Sequence, residues 1–243
     1  MLTLNKGFYR ARAAQTAEDL LRAQRLRALA FHGRDGLDRD AFDDRCQHVL
    51  IEQTATGALA GCFRLLPLAA GAAIGNSYSA QFYDLTALAR IKRPMAEIGR
   101  FCLHPAHSDP DILRVAWGVL ASYVDAHAVA MLFGCASFPG TDAGPYDDAF
   151  ALLRDRHLAP AAWHPGIKAA EIHAYASAPG QKPDPKRASA MMPPLLRTYL
   201  MMGGRVSDHA VVDREMNTLH VFTGLEIAAI PPARAARLRD MVR

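Results

Sequence analysis

The chain alternates between short segments with strand-like spacing of apolar residues and longer segments with helical spacing. Gly7 to Ala13 places apolar and polar residues in alternation, which predicts a first strand. The next segment begins at Thr16, where Thr16 and Asp19 have the spacing of a capping box, and its apolar residues then follow one helical face. These patterns predict a strand followed by a helix at the start of the chain.

The rest of the chain repeats this alternation. His48 to Gln53 and Leu59 to Leu66 are apolar runs on either side of a turn around Gly57, which predicts a β-hairpin. The segment "PPLLRTYLMMGG" has proline at its start and glycine after its end, which predicts another helix near the C-terminus. Further strands are predicted at 129–138, 167–176 and 218–227, and further helices at 111–128, 147–156, 193–204 and 233–243.

Strands interleaved with helices predict an α/β protein with a mixed central sheet flanked by helices. The segment from Gln181 to Ala190 is rich in proline and basic residues and is predicted to be a linker. The expected division is therefore a core over residues 1–180 and a C-terminal extension over 181–243, which completes or flanks that core.

One predicted strand, Met95 to Pro105, contains two charges that a buried strand normally avoids. Strict alternation places Glu97, Gly99 and Phe101 on one face and Arg100 on the other. Glu97 and Arg100 then form either an ion pair on an edge strand or part of a site. If they share a site, the strand must bulge near Gly99, because a regular strand directs them to opposite faces.

Other charged residues interrupt apolar elements in the first half of the chain. They are Arg27, Asp40, Asp43 and Arg64; the two aspartates lie in an acidic run that otherwise reads as solvated surface. No nucleophile-elbow, P-loop or dinucleotide-binding motif is present. A carboxylate base with further acids and arginines suits proton removal from an amine that attacks an activated acyl group.

Composition and charge limit the classes of partner, metal site and cellular location that are expected for the protein. The 243 residues are 51% apolar and 21% charged with a net charge of +4, which favours acidic partners and is too weak to indicate nucleic acid. The four cysteines have no metal-ligand spacing, so no metal site is expected. Without a signal pattern or an apolar run of about 18 residues, a cytoplasmic protein is expected, with peripheral contact at the inner membrane face left open.

Six segments together resemble a known family. They are "LRALAF" with Arg27 and Phe31, "DRDAFDDRCQHVLI" with Asp40 and Asp43, "GCFRLLP" with Arg64, "EIGRFCLHP" with Glu97 and Arg100, "LFGCASFPGTD", and "PPLLRTYLMMGG". In this order they resemble the acyl-carrier-protein-dependent GNAT N-acyltransferases, specifically the ornithine N-alpha-acyltransferases of ornithine-lipid synthesis. The chain is also distantly similar to acyl-homoserine-lactone synthases.

The resemblance implies a GNAT-like fold in which two neighbouring strands splay apart around the pantetheine arm of a thioester. "EIGRFCL" and "AMLFGCASF" would be those strands. The segment "HSDPDILRVAW" lacks the glycines that usually seat a pyrophosphate in this fold. The expected donor is therefore the phosphopantetheine thioester of an acyl carrier protein, with no cofactor bound permanently.

The resemblance also implies roles for individual residues. Glu97 is the candidate general base, with a pKa raised by partial burial beside Phe101. Arg100, as the second catalytic candidate, and Arg64 would bind a carboxylate or phosphate. Asp40 and Asp43 would hold the side-chain ammonium of ornithine. Arg27, Phe31 and Phe101 complete the substrate-binding set together with Ser137, which either lines the acyl pocket or is an ordinary serine at a strand end.

The expected reaction transfers a 3-hydroxyacyl chain from acyl carrier protein to the alpha-amine of L-ornithine, giving lyso-ornithine lipid. Two alternatives remain open. One is an acyl-homoserine-lactone synthase, against which the "PPLLRTYLMMGG" segment counts. The other is a non-catalytic module that binds acyl carrier protein or an anionic membrane through Arg234, Arg237, Arg239 and Arg243.

Overall fold

The computed structural model describes residues 2–177 and 182–240, in which strands and helices alternate. The strands are β1 (Thr3–Lys6), β2 (Tyr9–Ala13), β3 (Gln47–Gln53), β4 (Leu59–Leu68), β5 (Tyr83–Asp84), β6 (Met95–Leu103), β7 (Met131–Pro139), β8 (Gly166–Ile167), β9 (Ile172–His173), β10 (Arg205–Val206), β11 (Ala210–Asp213) and β12 (Thr218–Glu226). The α-helices are α1 (Ala17–His32), α2 (Pro110–Ala126), α3 (Asp147–Arg156), α4 (Pro185–Met191), α5 (Pro194–Met201) and α6 (Pro232–Asp240).

Local signals placed the longer elements correctly. The Thr16 hydroxyl accepts a hydrogen bond from the backbone N–H of Asp19 at 3.1 Å, and Gly33 closes α1 in the left-handed conformation. Asp109 caps α2 in the same way. The predicted hairpin forms from β3 and β4, and α3 spans the predicted residues. The predicted cap at Thr16, the predicted hairpin and the predicted helix at 147–156 are therefore confirmed.

The chain divides into two compact units. The first unit comprises the described residues up to Pro67, Ala96–Val129 and those from Pro231 onward; the second comprises the described residues of Leu68–Met95 and Ala130–Ile230. Strand order in the first unit is β1-β2-β3-β4-β6, and α1 covers one face through Ala23 and Leu26. In the second unit the order is β7-β12-β11-β9, with β10 beside β12.

One core cluster of the second unit packs against a face of the β7–β12 pair. These two strands run antiparallel and remain in register from Thr218 opposite Pro139 to Glu226 opposite Met131. Alternate residues of both strands pack against α3 and α5 in a cluster that includes Phe138, Phe150 and Val221. The expectation of an α/β architecture is confirmed, with strand pairs that are mostly antiparallel.

Two predictions about the C-terminal part were wrong. The predicted linker contains α4, whose first turn is capped by the Asp184 side chain and begins at Pro185. The proline that suggested a linker is thus a helix-start residue. The predicted strand at 167–176 reduces to the two-residue pieces β8 and β9. Gln181 and the predicted division after residue 180 lie outside the described residues.

A buried carboxylate on β3 is the centre of a charge cluster that the sequence did not reveal. Glu52 accepts hydrogen bonds from Arg10, Arg12 and Arg22 at 2.8 to 2.9 Å. Arg12 also binds Asp19 on α1. The cluster therefore joins β2, β3 and α1 through charged contacts, and its carboxylates are stable only while the arginines accompany them.

We expect Glu52 to make stability fall in acid. Burial alone would raise the pKa of Glu52, but hydrogen bonds from Arg12, Arg10 and Arg22 lower it to about 2. Because the unfolded carboxyl has a pKa of about 4.3, its contribution is complete above that pH and is lost as the pH falls toward 2. Glu52→Gln should therefore be less stable at pH 7 and show a flatter decline between pH 4.5 and 2.

Denaturant unfolding at several pH values tests this expectation. Glu18→Gln is the matched control, since Glu18 lies on the exposed side of α1 and pairs only with the exposed Arg25 among the described residues. Parallel pH profiles for wild type and Glu52→Gln would show that Glu52 is not the source of the acid sensitivity.

Candidate functional site

The backbone of β6 changes direction at Arg100. This residue has φ 51°, in the left-handed region that non-glycine residues seldom adopt. The Cβ position of Gly99 points toward Arg64, while the sulfur of Cys102 lies 3.6 Å from that of Cys62. Cys62 and Arg64 share a face of β4, so Gly99 and Cys102 face the same side of the sheet although they are three residues apart. The alternation of β6 is broken between them.

This break puts both charges of β6 on one face. Glu97 precedes Gly99 by two residues and therefore shares its face, and Arg100 also turns toward that side. Phe101 stacks on Phe63, on the opposite face, with ring centroids 5.6 Å apart. The predicted placement of Phe101 beside Glu97 is wrong, because the irregularity reverses the alternation. The bulge required for Glu97 and Arg100 to share a site is present, centred on Arg100 rather than Gly99.

Three arginines and three aspartates meet on this face and are here called the Arg–Asp network. Arg27 Nε donates to Asp38 at 2.6 Å, and its Nη1 donates to Asp43 at 2.7 Å. Arg64 binds Asp40 and Asp43 at 2.7 and 2.6 Å. Arg100 lies 3.0 Å from Asp38 and 3.1 Å from Asp40. Each of the six side chains, Arg27, Arg64, Arg100, Asp38, Asp40 and Asp43, thus contacts two partners of opposite charge.

Charge pairing keeps the carboxylates of Asp40 and Asp43 ionised. Burial alone would raise the pKa of Asp43, but hydrogen bonding to Arg27 and the charge of that arginine lower it to about 2. The pKa of Asp40 is likewise lowered by Arg64 against the effect of burial. A carboxylate with a lowered pKa is a poor proton acceptor at neutral pH. Asp40 and Asp43 are therefore suited to electrostatic roles and not to the role of general base.

Glu97 lies beside this network and is 4% exposed. Burial raises the pKa of the nearby Cys46 thiol to about 11, and Arg64 opposes this shift while Glu97 adds to it. The charges of Glu97 and Arg64 both act on the Cys46 thiol, so both side chains lie near it. The role of Glu97 as the general base stays a prediction, made for a buried carboxylate that lies beside the Arg–Asp network.

The structure brings five predicted site residues together in the Arg–Asp network: Arg27, Asp40, Asp43, Arg64 and Arg100. Phe31 instead packs at the edge of the apolar cluster formed by Leu26 and Leu50. Ser137 is exposed on β7 in the second unit. The roles assigned to these residues, and the splaying expected of the two strands, stay predictions.

Sequence reasoning missed two members of this site. The first is Asp38, which bridges Arg27 and Arg100. The second is Gln24, whose amide nitrogen donates to Asp43 at 2.9 Å and whose amide oxygen accepts from Arg39. The i, i+2 spacing of Asp38 and Asp40 in an extended segment was a usable signal. The reading of the acidic run as surface holds for Asp44 and fails for the buried Asp38.

Among the described residues, no group of three or more histidine, cysteine, aspartate or glutamate side chains has the arrangement needed to hold a metal ion. Over the same residues, none of the helices has both the length and the apolar character needed to cross a membrane.

The segment that carries this site is similar to a known domain family. Residues 23–118, which include Glu97 and all six residues of the Arg–Asp network, match the acetyltransferase (GNAT) domain family. FeeM, an N-acyl amino acid synthase from uncultured soil microbes, superposes with a TM-score of 0.53 at 10% identity over 90% of this chain and 92% of that chain. That likeness shows the GNAT-like fold.

Curated relatives share much more of the sequence. The chain is 34% identical over 238 residues to the L-ornithine N(alpha)-acyltransferase of Rhodobacter capsulatus, covering 91% of each protein. It is 30% identical over 201 residues to the protein of the same name from Agrobacterium fabrum, covering 79% of this chain and 68% of that protein. The protein is therefore an acyltransferase with a GNAT domain, and it belongs to the L-ornithine N(alpha)-acyltransferase family.

Proposed function

We propose that this protein acylates the alpha-amine of L-ornithine with a 3-hydroxyacyl chain donated by acyl carrier protein, which gives a lyso-ornithine lipid. The observation that carries the proposal is the match, over 91% of both chains, to a relative named for ornithine N-acylation. The proposal is also supported by the position of Glu97 on the face of β6 where the Arg–Asp network lies. Acyl transfer to an amine requires a base and charged groups that position the acceptor.

In the proposed reaction Glu97 accepts a proton from the alpha-ammonium group, directly or through one water. The free amine attacks the thioester carbonyl carbon, forming a C–N bond and a tetrahedral oxyanion. Collapse of this intermediate breaks the C–S bond, releases the pantetheine thiol and leaves the amide. Backbone N–H groups are the expected oxyanion donors.

Acceptor binding is assigned to the exposed side of the Arg–Asp network. The Asp40 side chain retains 20% of its surface and Arg100 13%, whereas Asp43 and Arg64 retain 5% and 3%. Asp40 is therefore the carboxylate that the side-chain ammonium of ornithine reaches most easily, and Arg100 the guanidinium best placed for its carboxylate. Asp43 and Arg64 would hold these two in position.

The start of α2 supports a carrier-protein donor. A pyrophosphate is usually held by unpaired N–H groups at a helix N-terminus. Here Asp109 Oδ1 already accepts from the N–H of Asp111 at 2.9 Å, and Pro110 has no N–H to offer. The two carboxylates would also repel a diphosphate, so coenzyme A is disfavoured relative to a donor that carries a single phosphodiester.

The proposal places an acidic carrier or an anionic membrane face near the basic C-terminal helix. None of the described residues of α6 is buried, so its arginines are available at the surface. Arg239 pairs with Asp125 on α2, which attaches the helix to the first unit. Arg234 and Arg237 are the remaining described candidates for contact; Arg243 lies outside the described residues.

Purified protein mixed with 3-hydroxyacyl carrier protein and L-ornithine should release one thiol per acyl-ornithine formed. Ornithine acetylated at its alpha-amine is the matched acceptor control and should release none. Replacing the carrier thioester with the coenzyme A thioester should lower the rate at equal concentration. Thiol release that does not depend on ornithine, or that requires S-adenosylmethionine as acceptor, would contradict the proposal.

A further inference from the structure

A histidine buried in the second unit has an imidazole nitrogen without a partner. His220, on β12, is 2% exposed, and its Nε2 atom has no hydrogen-bond partner among the described residues. An unsatisfied buried polar atom is costly because it has given up its hydrogen bonds to water, so native proteins usually supply a partner. His220 is far from Glu97 in the chain and has no part in the proton transfer described above.

The neighbours of His220 show which nitrogen carries its proton. The Tyr83 hydroxyl donates its hydrogen to the backbone carbonyl of His220 at 2.7 Å. The same hydroxyl oxygen lies 3.2 Å from His220 Nδ1 and can only accept there, so Nδ1 carries the N–H. Burial lowers the pKa of His220 to about 4, and the ring is neutral at physiological pH. Nε2 is consequently an acceptor that lacks a donor.

The surroundings of Nε2 suit a chain that is mainly apolar. The Phe82 ring meets His220 edge-on with centroids 4.9 Å apart, and Phe222 lies two residues along β12 on the same face. Directly opposite His220 in the antiparallel register is Ser137 on β7, an exposed serine. Side chains of directly opposed residues lie on one face about 5 Å apart. A half-buried aromatic ring, a serine and a histidine acceptor thus adjoin one another.

We propose that His220 Nε2 accepts a hydrogen bond from the 3-hydroxyl of the donor acyl chain, with Ser137 as the second polar contact to that hydroxyl. This inference rests on the proposed function, because only that function supplies a hydroxylated acyl chain. An ammonium ion would lose its hydration in these aromatic surroundings, and a carboxylate has no hydrogen to donate.

Two substitutions separate the ring nitrogens of His220. The amide of asparagine takes the place of Nδ1, so His220→Asn keeps the contact with Tyr83 and removes the acceptor at Nε2. Glutamine reaches the position of Nε2, so His220→Gln keeps an acceptor there. Thr223→Val is the matched control: Thr223 has a buried hydroxyl without a described partner on the same strand, but it lies on the opposite face.

The experiment measures binding by titration calorimetry with two unreactive pantetheine amides, one of a 3-hydroxy fatty acid and one of the same acid without the hydroxyl. Wild type and Thr223→Val should bind the hydroxylated amide about tenfold more tightly, the effect of one hydrogen bond. His220→Asn should lose this preference, Ser137→Ala should reduce it, and His220→Gln should retain part of it. Thermal unfolding of each variant shows whether it is folded.

Four outcomes are distinguishable. Equal binding of the two amides by wild type, or binding of neither, overturns the inference and leaves a bound water as the partner of Nε2. An unchanged preference in folded His220→Asn also overturns it. A preference that His220→Asn abolishes supports it, even if wild type shows no turnover with ornithine, which would overturn the proposed function alone. Turnover of ornithine by wild type, together with an unchanged preference in folded His220→Asn, overturns the inference and leaves the proposed function standing.

Discussion

Glu97→Gln is expected to lower the rate of acyl transfer by about 10²- to 10⁴-fold, the usual contribution of a positioned general base. Glutamine has nearly the same shape as glutamate and can still form hydrogen bonds, but it cannot accept the proton of the attacking ammonium group. The loss should appear in kcat, with little change in KM for ornithine. Steady-state thiol release at saturating donor measures both constants.

The matched control for this variant is Glu52→Gln. Glu52 is also a buried carboxylate on a strand of the first unit, 2% exposed, but it belongs to the cluster around Arg12. Its substitution should change stability and leave kcat close to that of wild type. Equal losses of kcat in the two variants would indicate that buried carboxylates matter only for folding. A Glu97→Gln enzyme with normal kcat would remove Glu97 from the mechanism.

Arg27→Met is expected to reduce the free energy of unfolding by about 3 to 5 kcal/mol, the usual cost of removing one partner from a buried ion pair. Arg27 is 1% exposed and binds both Asp38 and Asp43. Methionine fills much of its volume, so the expected loss comes from two buried carboxylates that lose a shared partner. Denaturant unfolding at neutral pH measures the change.

Arg25→Met provides the comparison on the same helix. Arg25 is exposed and pairs with the exposed Glu18, so its removal should change the free energy of unfolding by no more than about 0.5 kcal/mol. The Arg27→Met variant should recover stability when Asp43 is also replaced by Asn, because one buried charge is then removed. Equal small effects at both arginines would show that the Arg–Asp network contributes little to folding.

The helices with clear ends were predictable because their signals are local. Thr16 and Asp109 cap the next turn of backbone, and Gly33 ends α1, so neighbouring residues suffice to place α1 and α2. The short strands were not predictable. β9 contains only two residues and exists because it pairs with β11, which is distant in the chain.

The face on which each β6 side chain lies illustrates the limit of local reasoning. Alternation predicts Glu97 and Phe101 on one side and Arg100 on the other. A single residue in the left-handed conformation reverses that order, and sequence pattern pointed to Gly99 as the irregular residue rather than Arg100. The conformation at Arg100 accompanies its ion pairs with Asp38 and Asp40, and these contacts join distant parts of the chain.

The sequence by itself determined the order of the longer helices and strands, the family, and the residue types available for acyl transfer, because capping, periodicity and motif order are properties of neighbouring residues. Only the tertiary structure decided that Asp38 joins Arg27 to Arg100, that Glu52 is buried among arginines, and that Nε2 of His220 lacks a partner within the described part of the chain. Each of these depends on contacts between residues far apart in the chain. Burial then determines what each contact contributes, because a charge or an unpaired nitrogen has its largest effect where water is excluded.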